Sequence, residues 1–294
     1  MKFHGVDIED TFAEAFGMSA ARVVVTAATV RWAMTAATVA TGYGTSVIAC
    51  DAEAGVESEL PPGDTPDGRP GASFLVFGFS SDAVGKALVG RVGQCVMTCP
   101  TTACYDGLEG SEEQVKVGAM LRYFGDRHQV SKHLADRRYW RVPVMDGEFV
   151  CEDKFGVRKG VAGGNFLILG RTQDAALKAA ESAVSAIGDE PGVICPFPGG
   201  VVRSGSKVGS AYRKLKASTN DAYCPTLRGV VESSLPDDVN AVYEVVIDGL
   251  SLEAVQRAMG VGVRAACGDG IVRISAGNYG GKLGPHHIRL RELF

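Results

Sequence analysis

A single glutamate, Glu244, interrupts an otherwise apolar stretch, Ala241-Val242-Tyr243-Glu244-Val245-Val246-Ile247-Asp248. If that stretch is a strand, an ionised carboxylate within it is costly to desolvate and its pKa rises, which suits a group that exchanges protons near neutrality. The same pattern fits a glutamate on the solvent face of an alternating strand, or one paired with an arginine, and on pattern alone those readings stand slightly ahead. Four polar, glycine-laden segments share the C-terminal half: 160–165, ending in Asn165; 196–200, followed by Ser204, Gly205, Ser206 and Lys207; Tyr243 beside Glu244; and 277–282, with Asn278, Tyr279, Gly280 and Lys282. Glycine admits positive φ and close approach of a ligand, and the neighbouring Asn, Ser and Lys supply donors that a plain turn does not require. Each segment alone is more often only a strand-to-loop turn. Together they point to one ligand site.

Bulk properties exclude several classes. With 294 residues, 46% apolar and 22% charged, the chain can bury one large core or two ordinary ones, and its length favours two domains. A net charge of −4 argues against wholesale binding of nucleic acid or anionic membranes. Apolar runs such as 22–28 and 74–79 are too short to span a bilayer, and the opening residues lack a signal-peptide core, so a cytoplasmic location is expected. The eight cysteines contain no Cys-x-x-Cys and read as reduced thiols. Cys95, Cys99 and Cys104, broken by Pro100, read as small buried apolar residues. His286 and His287 are adjacent and diverge on any regular element, while His128 and His133 sit in a charged stretch, so no metal is expected. The segment 200–207 approaches a phosphate-binding loop but has Ser206 where the lysine belongs, and 64–71 reads as consecutive turns rather than a calcium loop. No nucleophile elbow or Ser-His-Asp set is recognisable, which disfavours a covalent hydrolase.

The elements that must position these residues repeat a theme. Residues 22–27 predict a strand, 29–41 a helix with Trp32, Ala36 and Ala40 on one face, 45–50 a second strand, 72–79 a third, and Asp82 opens a helix carrying Val84, Leu88 and Val92. In the second half, 165–170 predicts a strand. Thr172 caps a helix with Leu177, Ala180, Val184 and Ile187, and 192–195 is a strand. Residues 241–248 follow as a strand, Ser251 caps a helix with Leu252, Val255 and Met259, and 271–274 returns as a strand. Two split β-α-β patterns predict an α+β protein of two ferredoxin-like lobes related by an internal pseudo-repeat, 1–146 and 147–294, joined near 145–149.

Six motifs carry a more specific signal: Gly5-Val6-Asp7-Ile8-Glu9-Asp10-Thr11-Phe12-Ala13-Glu14-Ala15-Phe16; 93–103, from Gly93 through Cys99-Pro100-Thr101-Thr102-Ala103; Lys159-Gly160-Val161-Ala162-Gly163-Gly164-Asn165-Phe166; 195–200; Cys224-Pro225-Thr226-Leu227; and Ser275-Ala276-Gly277-Asn278-Tyr279-Gly280-Gly281-Lys282-Leu283-Gly284. In this order and over nearly the whole chain they resemble the formylmethanofuran:tetrahydromethanopterin formyltransferase family, either the archaeal enzyme or the homologous subunit of a bacterial formyltransferase/hydrolase complex. Two departures concern loops: Gly17 stands where a proline is expected, and 124–126 runs on into Arg127 and His128 instead of Gly-aromatic.

The resemblance implies a cytoplasmic one-carbon enzyme that moves a formyl group between methanofuran and N5 of tetrahydromethanopterin, both cosubstrates rather than bound cofactors. It implies a homo-oligomer, dimer or tetramer, without metal or prosthetic group, and formyl hydrolase subunits as partners in a bacterial setting. A formamide is a poor acyl donor, so direct transfer needs a group to stabilise the oxyanion and one to carry a proton. A neutral carboxylic acid does both, and the family's Val-Tyr-Glu position assigns that role to Glu244. Lys207, Lys282 and Arg69 are candidates to hold anionic parts of the cosubstrates. Asn165, Ser206, Tyr243, Asn278, Tyr279 and Gly280 are candidates to bind the ring systems. Cys99 and Cys224, with no histidine nearby in sequence, are read as structural. Competing readings are a non-catalytic assembly or ligand-binding subunit of a hydrolase complex, and formyl transfer to a folate.

Overall fold

The computed structural model describes residues 1–294. It contains two compact units, Met18–Gly160, and Met1–Gly17 together with Val161–Phe294. The division therefore falls within two long strands, Phe12–Thr26 and Lys154–Gly170. It differs from a cut at 146/147: residues 1–17 join the C-terminal unit, and 147–160 the N-terminal one.

In the second-half unit, strand order is Val193–Ile194, Ala241–Gly249, the latter part of Lys154–Gly170, Ile271–Ser275 and Val6–Ile8. Neighbours are antiparallel except for the last pair, which is parallel. Helices Gln173–Ile187 and Leu252–Ala266 bury Ala176, Ala180, Ala183, Val255, Ala258 and Val263 against Phe166, Ile168, Val245 and Ile247. Thr172 and Ser251 cap these helices, each hydroxyl accepting the N–H three residues on at 3.2 Å, as their types and positions predicted. Leu177, expected on the buried face, is 38% exposed. Alanine lines that face instead and lets the helix approach the sheet closely.

The first-half unit orders its strands Glu53–Leu60, Gly71–Gly78, Phe12–Thr26, Ala103–Asp106, Gly147–Glu152, Arg137–Val144 and Val130–Leu134. Helices Val30–Thr41 and Ser81–Arg91 lie where the sequence puts them, the second capped by Ser80. Two expectations fail. Residues 45–50 form turns, and the strand is Glu53–Leu60, whose three glutamates hide its propensity. It is recruited by pairing along the apolar Gly71–Gly78, with Glu53 accepting the Val47 N–H at 3.1 Å. Residues 145–149 are no linker: Val144 pairs with Gly147 across a hairpin.

The glycine run at 160–165 is likewise not a turn at a strand end. It lies inside Lys154–Gly170, where the register with Ala241–Gly249 shifts between Val161 and Gly164. Gly163 sits in that bulge at φ +82°, and a Cβ there would come within 2.8 Å of the Phe16 ring. Gly163→Ala is expected to lower the unfolding free energy by about 1–3 kcal/mol through left-handed strain and that clash. Urea denaturation reads the effect, and an unchanged midpoint would show that the bulge tolerates a side chain.

Candidate active site

Alternation along Ala241–Gly249 decides which groups meet. Tyr243, Val245 and Ile247 point into the helix-side core, so Val242, Glu244 and Val246 occupy the other face. Glu244 is registered opposite Leu167, and Leu167 opposite Ser275, so all three share that face across adjacent strands. Asn165 lies two residues along the same strand as Leu167, also on this face. On its other side Glu244 bridges Val202, with the Glu244 N–H donating to Val202 O at 3.0 Å and the Val202 N–H to Glu244 O at 2.7 Å. Tyr223, Leu235 and Val239 pack over Leu167, Leu169, Val242 and Val272. The Tyr223 hydroxyl lies 3.3 Å from that of Ser275.

The half-buried Glu244 forms no ion pair, and desolvation raises its carboxyl pKa to about 7. It has no arginine partner, and it lies on the alternating face turned away from the helices, neither fully buried nor fully exposed. A shallow dent lined by Lys178, Glu181, Ser182 and Asp189 lies on helix Gln173–Ile187, on the opposite side of the sheet, and contains none of these groups.

The other sequence candidates divide. Asn165, buried, donates from Nδ2 to the carbonyls of Gly163 (3.0 Å) and Gly277 (3.1 Å), and its Oδ1 accepts the Gly277 N–H at 2.6 Å. It therefore ties 277 to the Glu244 sheet, and its amide serves the backbone. Asn278 donates to Thr11 Oγ1 and Phe12 O and accepts the Gly280 N–H. Ser206 is half-buried, Lys207 pairs with Asp221, Tyr279 is half-buried and Lys282 is exposed. Gly280, at φ +70°, is in the left-handed region its residue type favours.

Two candidates have polar groups committed to other partners. Tyr243 faces the helices, its hydroxyl accepting from Gln173 at 3.3 Å, because residues adjacent in a strand point to opposite faces. Arg69 belongs to the other compact unit, and its guanidinium is engaged by Asp67, Thr26 and the Thr101 carbonyl.

Sequence reasoning did not assign a role to Glu14. Only 2% exposed, its carboxylate accepts backbone N–H groups from Tyr279 (2.7 Å), Gly281 (3.1 Å), Leu283 and Gly284 (2.8 Å). Burial alone would raise its pKa, but these donors outweigh it and hold the carboxyl below its ordinary value. The signal was present: like Glu244, Glu14 interrupts an apolar strand, between Ala13 and Ala15.

Comparison with known proteins fixes the family. Residues 1–144 match the family model described as formylmethanofuran-tetrahydromethanopterin formyltransferase, and 147–293 the one described as FTR, proximal lobe. The formylmethanofuran–tetrahydromethanopterin formyltransferase of Methylobacillus flagellatus is 56% identical over 100% of this chain and 99% of its own. The chain belongs to this family. Among solved structures, the formyltransferase of Methanosarcina barkeri superposes with a TM-score of 0.96 at 50% identity, each chain fully covered. A chain of the formyltransferase/hydrolase complex of Methylorubrum extorquens, solved with methylofuran, gives 0.97 at 51% identity, covering 100% of this chain and 98% of that one. The family's large mixed sheet with few helices is the architecture of this chain.

Because the Glu244 carboxyl holds its proton to a higher pH in the fold than in the unfolded chain, its contribution to stability is fully present below the unfolded value of 4.5 and is lost as pH rises through about 7. Glu244→Gln, neutral at every pH, is therefore expected to gain stability over the wild type between pH 5 and pH 8. Urea midpoints for both proteins at the two pH values check this, and a gap that does not change with pH would place Glu244 in water.

Proposed function

We propose that this protein transfers a formyl group between N-formylmethanofuran, or an analogue, and N5 of tetrahydromethanopterin, directly and within a ternary complex. The observation that carries the reading is Glu244: an unpaired, largely desolvated carboxyl with a pKa of about 7, in a chain 56% identical from end to end to a formyltransferase. N5 attacks the formyl carbon, and the neutral Glu244 carboxyl donates a hydrogen bond to the developing oxyanion. Collapse breaks the bond from carbon to the methanofuran nitrogen. The proton lost by N5 reaches that nitrogen through Glu244, leaving a free amine and N5-formyl-tetrahydromethanopterin.

Lys282 and Lys207 offer cations to anionic parts of the cosubstrates; Lys207 does so once released from Asp221. Ser206, Tyr279, the Gly280 backbone and the Asn165–Asn278 frame border the ring systems. Tyr243 leaves this set because its place in the strand turns it toward the helices, and the Arg69 guanidinium is held by Asp67, Thr26 and the Thr101 carbonyl. No bound metal or prosthetic group is required, since Glu244 supplies the proton. A non-catalytic subunit would have no use for a neutral, desolvated carboxyl, and this favours the active enzyme over that alternative.

The two compact units read as ferredoxin-like lobes. Strand orders 53–60, 71–78, 18–26, 103–106 and 193–194, 241–249, 161–170, 271–275 follow one pattern, consistent with an internal repeat. A cytoplasmic location fits the reaction, and no helix is long and apolar enough to cross a membrane.

The chain works as a homo-oligomer, dimer or tetramer, or beside hydrolase subunits as in the Methylorubrum extorquens complex. This rests on the family, because the small-residue face of Val30–Thr41 is consumed internally: Ala33, Ala36, Ala37 and Ala40 are buried in their own unit.

Two measurements test the reading. Glu244→Gln is expected to lower kcat by roughly 10²–10⁴ with little change in KM; a folded variant with wild-type turnover would remove Glu244 from the mechanism. Sedimentation at micromolar concentration is expected to show no substantial 30.8 kDa monomer, and a clean monomer would defeat the oligomer.

A further inference from the structure

The segment 277–284 has no regular structure of its own and includes two consecutive left-handed glycines, Gly280 (φ +70°) and Gly281 (φ +73°). Its course is set from outside. The Glu14 carboxylate receives the N–H groups of Tyr279, Gly281, Leu283 and Gly284, two on each oxygen. The Asn278 amide latches the segment to Thr11 and Phe12, next to Glu14 in the chain. Gly284 lies so close to the strand that a Cβ would come within 2.2 Å of the Ala15 carbonyl. At its start, Gly277 is bonded to Asn165, on the Glu244 face of the sheet.

Four N–H donors fill the acceptor sites of this buried carboxylate, which has no cation beside it, and a surface turn by itself needs no buried acid to close it. The groups the segment presents are an aromatic ring, Tyr279, and an exposed cation, Lys282. An ordered backbone beneath them removes an entropy cost that binding would otherwise bear.

We propose that Glu14 is a positioning residue for the transfer reaction: by gathering the backbone of 279–284, it holds Tyr279 and Lys282 ready for the anionic portion of one cosubstrate. This rests on the formyl-transfer reading and adds to it a residue that touches neither substrate nor reacting atoms. Loss of the Glu14 charge leaves the Glu244 chemistry in place but makes ligand binding order the loop. The signature is a rise in KM for one cosubstrate, not a fall in kcat.

The test is steady-state kinetics of the full-length protein with both cosubstrates varied, alongside amide hydrogen exchange. Glu14→Gln is expected to raise KM for one cosubstrate roughly 10-fold or more, to change kcat by less than about 3-fold, and to deprotect the amides of 279–284. Lys282→Ala raises the same KM, and in the Glu14→Gln background adds little, because the lysine is already unplaced. If Glu14→Gln does not fold, Asn278→Ala, which frees the second latch, must give the same one-sided KM rise. Deprotected loop amides with both KM values unchanged, or fully additive effects of Glu14→Gln and Lys282→Ala, would overturn the proposal. Glu244→Gln acts on kcat instead, so either result can fail alone; wild-type protein that moves no formyl group would overturn both.

Discussion

The period-two alternation of the central strands is the constraint on which the rest of this structure depends. Helices cover one face of the sheet, so every second residue of Ala241–Gly249 and of the C-terminal part of Lys154–Gly170 must be apolar and is drawn into that core. The intervening positions are released from that demand, and they hold Asn165 and Glu244, with Ser275 of strand Ile271–Ser275 on the same face. A one-residue slip of register would bury Glu244 among the helices and turn Tyr243 outward. The cost of such a slip, in misplaced valines and isoleucines, fixes the Glu244 face as firmly as the core.

Two glutamates in similar sequence settings end in opposite electrostatic states. Each interrupts an apolar strand and each is taken from water. Glu14 meets converging backbone N–H groups, which favour its charged form and keep its pKa low. Glu244 lies beside Leu167 and Val202, with no cation, and desolvation pushes it to about 7. The number of donors around each carboxyl makes the difference, lowering the pKa of one and leaving the other raised in the same residue type.

The glycine-rich segments follow the same division of labour. Gly163 makes a bulge inside a strand, Gly200 at φ +77° clears Val184 by lacking a side chain, and Gly280 and Gly281 let a loop wrap a buried acid. Only the last presents an aromatic ring and a cation at its surface. Shared composition therefore conceals three different physical tasks.

Residue type and period alone determined much of this protein. The capped helices beginning at 81, 173 and 252, the strands around 22–26, 71–78, 241–249 and 271–275, and the isolation of Glu244 in an apolar strand were all legible, because caps and periodicity are local signals. The tertiary structure decided the rest. Glu53–Leu60 becomes a strand only because Gly71–Gly78 offers it an edge, and 145–149 is a hairpin only because its flanks pair. Glu14 acquires its role from N–H groups more than 260 residues away in the chain. Sequence records what each residue can do; which groups converge on it depends on contacts between distant segments, and local pattern does not encode those.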